Sequence, residues 1–335
     1  MPSRFCARFT TSWASCAPER AASNKENERR VLILGAGGTG GYFGGRLAET
    51  GKDVTFLVRP RRAAELAERG LVIRSKLGDA TLKVKTASAE NPGGPYDFVL
   101  LTCKAYDLDT AMDSIAGAIG PDTTIVPLLN GLRHLEALDA RFGADKVVGG
   151  LCLIGATLGP DNEVQHLDFA QNLVFGERSG GPSARLAAFA EAFASAKAEA
   201  RQSETIMQEM WEKFVFLCTL AAMSTLFRNV IGNIVAAPEG EAIIRECLAE
   251  CSAVASAAGF APRPAFLERT TGLLVEKGAP RKGSMARDIE RGGRVEADHI
   301  VGDMLARARA AGIAAPVLRI SYNALKAYEA SRSPA

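Results

Sequence analysis

The pattern of hydrophobic and polar positions changes near residue 204. Before it, short apolar runs recur: Val31-Leu32-Ile33-Leu34, Val54-Thr55-Phe56-Leu57-Val58, Asp97-Phe98-Val99-Leu100-Leu101 and Thr123-Thr124-Ile125-Val126-Pro127. Runs this short, bounded by turn residues, predict strands buried on both faces, as in a parallel sheet. A helical stretch through Leu47 and Ala48 to Gly51 separates the first two, and residues 106–119 permit a helix between the last two. Residues 70–74 and 80–85 alternate apolar with polar around Leu77-Gly78-Asp79, which predicts a hairpin. Residues 151–177 predict short strands around Gly159-Pro160-Asp161-Asn162, and residues 183–198 an Ala-rich helix. Beyond residue 204 the strand pattern stops. The clearest helices there are 206–227, 239–258 and 295–311, with Gly259 and Gly312 as stop signals and Pro262, Pro264 and Pro316 marking turns between helices.

Composition fits this division. A chain of 335 residues suggests two domains, and 47% hydrophobic with 23% charged residues is ordinary for a globular enzyme. The net charge of +2 supplies no general field for nucleic acid or anionic lipid, and apolar runs such as residues 125–129 and 214–223 are too short to span a bilayer. We therefore expect neither nucleic-acid nor membrane partners. Seven cysteines without a Cys-x-x-Cys pair do not form a disulfide framework, which fits a reducing cytoplasm. The three histidines, 134, 166 and 299, lie far apart without metal-ligand spacing and are expected at the surface or in packing; no metal site is expected. Residues 1–28, rich in Ser and Arg, read as a disordered extension or the product of an upstream start codon, with a transit peptide as the weaker alternative.

The first apolar run leads directly into Gly35-Ala36-Gly37-Gly38-Thr39-Gly40. In strand-turn-helix context this G-x-G-x-x-G is a dinucleotide-binding signature. Gly35 permits the tight turn, Gly37 lets a pyrophosphate approach the backbone, and Gly40 lets the helix pack closely on the strand. The helix N-terminus adds a partial positive charge there. After the second run stand Arg59, Arg61 and Arg62, where an acid would select a free ribose hydroxyl; guanidinium forks suit a 2′-phosphate and so NADP, unless they only solvate the next helix. The fold class is an α/β Rossmann-type NADP-binding domain over residues 29–203, followed by an all-helical C-terminal domain over residues 204–335. The active site is expected in the cleft between them.

From residue 30 onward the chain resembles the ketopantoate reductase (2-dehydropantoate 2-reductase) family. The resemblance is carried by the glycine motif with Arg59, Lys104-Ala105 after Leu101-Thr102-Cys103, Asn130-Gly131 after an apolar strand, Trp211-Glu212-Lys213 opening an apolar helix, and Ser284-Met285-x-x-Asp288-Ile289 with Glu296 beyond. It implies NADPH-dependent reduction of 2-dehydropantoate to pantoate, a step of pantothenate and coenzyme A biosynthesis. It also implies that Lys213 is the general acid and that Asn130 places cofactor and carbonyl. Ser284 would hold the substrate and Glu296 would orient substrate or cofactor. Lys104 would lie near the adenosine phosphate, and Gly35, Gly37, Gly40 and Arg59 would hold NADP, with Ala36, Gly38 and Thr39 in the same loop. The expected partner is a small 2-oxo acid, and a homodimer is left open.

Read without the family, Lys213 is the last charged residue before fourteen uncharged ones, so it either snorkels to water or is desolvated with a lowered pKa. The chain departs from the family pattern one and two turns later. Where asparagines are typical it has Leu217 and Ala221, on the same helical face as Lys213. An apolar wall there suits a more apolar 2-oxo acid, unless other groups or water replace the lost amides. Two further readings stand beside this one: a non-catalytic NADPH-binding protein on the same scaffold, and a dehydrogenase of 3-hydroxy acids.

Overall fold

A computed structural model describes residues 29–332. The extension read over residues 1–28 lies outside the described residues. The strands are β1 (Val31–Leu34), β2 (Val54–Leu57), β3 (Leu71–Ser75), β4 (Ala80–Leu82), β5 (Lys85–Ala87), β6 (Phe98–Leu101), β7 (Thr124–Pro127), β8 (Gly149–Leu158), β9 (Val164–Gly176) and β10 (Glu199–Gln202). The helices are α1 (Gly38–Ala48), α2 (Pro60–Arg69), α3 (Leu108–Ile115), α4 (Arg133–Phe142), α5 (Ala184–Ala192), α6 (Ile206–Leu226), α7 (Ile231–Ala236), α8 (Gly240–Ala257), α9 (Pro264–Leu274), α10 (Ser284–Glu290), α11 (Asp303–Ala310) and α12 (Pro316–Ser331).

The four apolar runs form β1, β2, β6 and β7 of the parallel sheet that their pattern predicts, and β5 adds a fifth strand, in the order β5-β2-β1-β6-β7 with β1 at its centre. A second sheet, β10-β9-β3-β4 with β8 antiparallel to β9, lies across α1. The glycines of α1 allow this sandwich. A Cβ on Gly44 would press on Ile33 and Phe56 of the first sheet at 2.8 Å, and one on Gly45 on Ile73 and Leu71 of the second at 2.6 and 2.9 Å. Arg46, fully buried in α1, donates to the Gly78 carbonyl at 2.5 Å and pairs with Glu49 at 3.0 Å, tying the β3–β4 turn to the helix.

Three expectations change. The hairpin of residues 70–85 forms as β3 and β4, but it belongs to the second sheet, while Lys85–Ala87 returns to the first. The strands expected to be short over residues 151–177 are two long ones, β8 and β9. A register shift between Ile154 and Ala156 absorbs the irregular residues that read as breaks. Pro264 and Pro316 open α9 and α12 rather than separating helices, because the first helical turn needs no donor from its opening residue. α7, α10 and those two helices carry weaker periodicity and were not anticipated.

The helical half is built around α6, which packs on α8, α10 and α12. The helix expected over residues 295–311 begins only at Asp298, with a wide turn, Asp298–Gly302, that runs directly into α11 and in which the Gly302 N–H reaches the Ala297 carbonyl at 2.8 Å. Buried Glu250 of α8 accepts the Val317 and Leu318 N–H groups at 2.9 Å each, satisfying the start of α12. One apolar core runs from Leu32, Val99 and Ile125 under the parallel sheet, through Leu129 and Leu151, to Met210 and Phe214 of α6. The two halves are therefore joined by buried packing as well as by the chain. Among the described residues the five cysteines are free thiols, no group of side chains could hold a metal, and no helix is long and apolar enough to cross a membrane.

Candidate active site

The loop between β1 and α1 is shaped by contacts that leave little room for side chains. Gly35 has φ +92°, and a Cβ on Gly40 would collide with the Gly35 carbonyl and the Thr102 hydroxyl. Gly38 is pressed by the Ala156 backbone, 2.8 Å from where its Cβ would stand. Gly37 is the exception: a Cβ there would meet nothing within 4 Å, so the space over it is open to a ligand. Thr39 stands in the first turn of α1. Beside this loop lies a cavity of about 500 Å³ lined by Gly35, Ala36, Gly37, Arg59, Arg61, Arg62, Glu65, Cys103, Asp107 and Asn162, among others. Burial pushes the Cys103 thiol up to about 12, so it stays protonated.

The three arginines differ in their surroundings. Arg59 is 80% exposed and pairs with Asp107 at 3.3 Å. Arg61 is also exposed and reaches Glu65 at 3.2 Å. Arg62 is tucked under the loop, donating to the Ala36 carbonyl at 3.1 Å and to Glu65 at 3.3 Å. Sequence reading missed Glu65, although the i,i+3 and i,i+4 spacing to Arg62 and Arg61 could have shown it; it also accepts from Asn162 of the β8–β9 turn at 3.0 Å. Open space above Gly37, a helix N-terminus and guanidinium groups at the far end fit a dinucleotide.

The residues expected to act on substrate come from distant parts of the chain. Lys213 stands two turns into α6, and among the described residues it has no ion-pair partner. Part of its side chain still meets solvent, but burial drives its pKa below the lysine value, against the opposing pull of Cys152 and Glu296. The desolvated reading therefore describes it better than the snorkelling one. Its neighbours are structural. Glu212 takes a forked contact from Arg263 at 2.8 and 2.5 Å, and Trp211 stacks on Phe260.

Glu296 is buried just before the wide turn. One carboxylate oxygen accepts the Ala105 N–H at 2.9 Å and the other the Lys104 ammonium at 3.3 Å; Lys104 also reaches Asp288 at 3.2 Å. Burial alone would lower the Lys104 pKa, but these carboxylates outweigh it and raise it. Lys104 was expected near an adenosine phosphate; here it joins the sheet domain to the helical one and is absent from the lining of the loop cavity. Asp107 extends this contact, facing Arg59 on one side and Arg294 at 3.7 Å on the other.

Asn130 follows β7, and its side-chain amide has no protein partner among the described residues. Next to it Gly131, with φ +79°, lies on His299, whose carbonyl would be 3.0 Å from an added Cβ. His299 meets His134, with ring nitrogens 3.4 Å apart. All three histidines are buried rather than surface groups, and two that are 165 residues apart in sequence form a pair behind Asn130. Burial lowers the pKa of both, that of His134 to about 3.

Ser284 begins α10, and its hydroxyl is free of protein partners among the described residues. The preceding Gly283 donates its N–H to Ser224 at 3.2 Å, and a Cβ on it would be 3.3 Å from the Ala221 Cα. Ala221 is thus covered and cannot form an open wall, whereas Leu217 stays half-buried.

Comparison with known proteins follows this division. Residues 31–180 match the family model described as Ketopantoate reductase PanE/ApbA, and residues 205–329 match Ketopantoate reductase PanE/ApbA C terminal. The chain is similar to the uncharacterized oxidoreductase YkpB of Bacillus subtilis, 38% identical over 303 residues covering 90% of this chain and 100% of that protein. Among solved structures it is similar to the PanE/ApbA family ketopantoate reductase of Ralstonia eutropha, with a TM-score of 0.82, 26% identity and coverage of 90% and 99% of the two chains. It is also similar to the 2-dehydropantoate 2-reductase of Methylococcus capsulatus, with a TM-score of 0.81, 28% identity and coverage of 91% and 98%.

Proposed function

The chain belongs to the ketopantoate reductase family, and we propose that it reduces a 2-oxo acid to the 2-hydroxy acid with NADPH. Within that class 2-dehydropantoate, reduced to pantoate for pantothenate synthesis, is the first substrate to test. The observation that carries the reading is Lys213: a desolvated amine without an ion-pair partner among the described residues, in a chain whose glycine loop is open to a ligand over Gly37.

A bound nicotinamide would supply the hydride. The chain's own groups supply the rest. Lys213, with its lowered pKa, gives a proton to the carbonyl oxygen as negative charge develops there. The unpartnered Asn130 amide and Ser284 hydroxyl are donors for the substrate's carbonyl and carboxylate. Glu296, held by Lys104 and the Ala105 N–H, keeps the helical domain against the sheet. Preference for NADPH rests on Arg59 and Arg61, whose charges face solvent beside the loop; Glu65 offsets part of that charge.

The test is cofactor oxidation with NADPH and NADH against a panel of 2-oxo and 3-oxo acids, with the product identified. We expect NADPH oxidation matched by a 2-hydroxy acid. Binding without oxidation favours a non-catalytic role, and preference for 3-oxo acids favours the other dehydrogenase chemistry.

A further inference from the structure

Along β8, residues 149, 151 and 153 share one face of the strand. The first two meet α6. A Cβ on Gly149 would touch Ile206 at 2.8 Å and Met210 at 3.2 Å, and Leu151 is buried in the core that contains Met210 and Phe214. The third, Leu153, is 47% exposed. Four strand residues advance about 13 Å, which corresponds to about nine helical residues. Starting between Ile206 and Met210, this brings Leu153 level with Leu217, one turn beyond Lys213. The intervening Cys152 points to the opposite face of β8, in the other core, yet is near enough to Lys213 for thiol and amine to influence each other electrostatically.

The other end of the strand fixes the position further. Three and four residues beyond Leu153, the backbone of Ala156 and Thr157 packs on Gly38 of the glycine loop, 2.8 and 3.0 Å from where its Cβ would be. Leu153 therefore stands between the cofactor loop and the proton donor, on the side where a substrate must lie to receive both hydride and proton. A single exposed leucine needs no explanation. This one stands, by the count above, level with half-buried Leu217. Ala221 adds nothing to this surface, being covered by Gly283.

We propose that Leu153 is a specificity-determining residue which, with Leu217 opposite, forms an apolar slot for the side chain of the 2-oxo acid. The substrate class is a 2-oxo acid with a branched or extended apolar side chain. A side-chain hydroxyl gains nothing in the slot and loses its water. This rests on the 2-oxo acid reductase reading and specifies its substrate.

The experiment measures kcat/KM for ketopantoate and for its analogue lacking the 4-hydroxyl, in the wild type, Leu153→Asn, Leu217→Asn and the conservative Leu153→Met. The wild type should use the analogue at least as well as ketopantoate. Leu153→Asn should move the ratio toward ketopantoate by roughly 10-fold or more, the scale of discrimination for lost apolar contact, and Leu153→Met should restore it. NADPH affinity and Tm should stay unchanged, separating a pocket effect from misfolding. Strong wild-type preference for ketopantoate, or a ratio that Leu153→Asn does not move, overturns the slot while leaving the reductase reading intact. Failure of the wild type to reduce any 2-oxo acid overturns both.

Discussion

The proposed cofactor side and the proposed proton-donor side of the molecule are built by opposite means. The glycine loop is six consecutive residues, shaped by backbone contact and open to water, and its cationic partners Arg59 and Arg61 are largely exposed. The proposed donor side draws residues 104, 130, 213, 284 and 296 from five separate segments, of which Lys104 and Glu296 are in contact, with Glu296 buried and Lys213 desolvated. Exposed charges are screened and hold a ligand through modest contacts, whereas a desolvated amine is held ready for the one state in which charge develops. Changes on the first side should therefore act on binding, and changes on the second on turnover.

The largest expected effect is that of Lys213→Ala, which should lower kcat by roughly 10²–10⁴-fold as for a lost general acid. NADPH affinity, measured by fluorescence titration, should remain near normal; an equal loss of affinity would erase the contrast between the two sides. Arg59→Ala should show the reverse pattern, weakening NADPH binding by about 1.5–3 kcal/mol with little effect on NADH or kcat. Equal wild-type affinity for NADPH and NADH would break that assignment.

Two smaller effects sharpen the comparison where the sides meet. Lys104 and Glu296 share an ion pair across the domains, so the double mutant Lys104→Ala/Glu296→Ala should cost less than the sum of the single changes, with a coupling of about 0.5–3 kcal/mol in kcat/KM. Strict additivity would mean that the two residues act separately. Behind Asn130, His134 is held neutral. Its folded pKa of about 3 lies below the ordinary 6.5, so between these values the unfolded chain binds more protons and stability falls as pH falls. The contribution of one such group is at most about 1.4 kcal/mol per pH unit. His134→Gln should flatten that part of the Tm profile between pH 6.5 and pH 4 without changing the NADPH affinity.

The same contrast explains what could be read from the chain. The central strands, the glycine loop and α6 follow local rules of apolar period, turn and close packing, so their residues announce them. The second sheet did not, because β3 and β4 read as a simple hairpin and nothing local tells which sheet receives them. Similarly, the Lys104 contacts to Asp288 and Glu296 and the His134–His299 pair depend on tertiary approach between residues more than 160 positions apart. Lys213, Ser284 and Glu296 were singled out by family resemblance more than by any physical signal of their own. Helical spacing correctly put Leu217 and Ala221 on one face, but it could not show that Gly283 covers the second of them.

The most direct test of the account is the pH dependence of kcat for reduction of the preferred 2-oxo acid, in the wild type and in Lys213→Ala. Lys213 can donate only while protonated, so wild-type kcat should fall as pH rises through its pKa, at a point below the ordinary lysine value of 10.5 because burial disfavours the charged form. In Lys213→Ala the residual rate should lack that alkaline limb. A wild-type profile flat up to the ordinary lysine range, or the same limb persisting in the variant, would contradict the assignment of Lys213 as the proton donor.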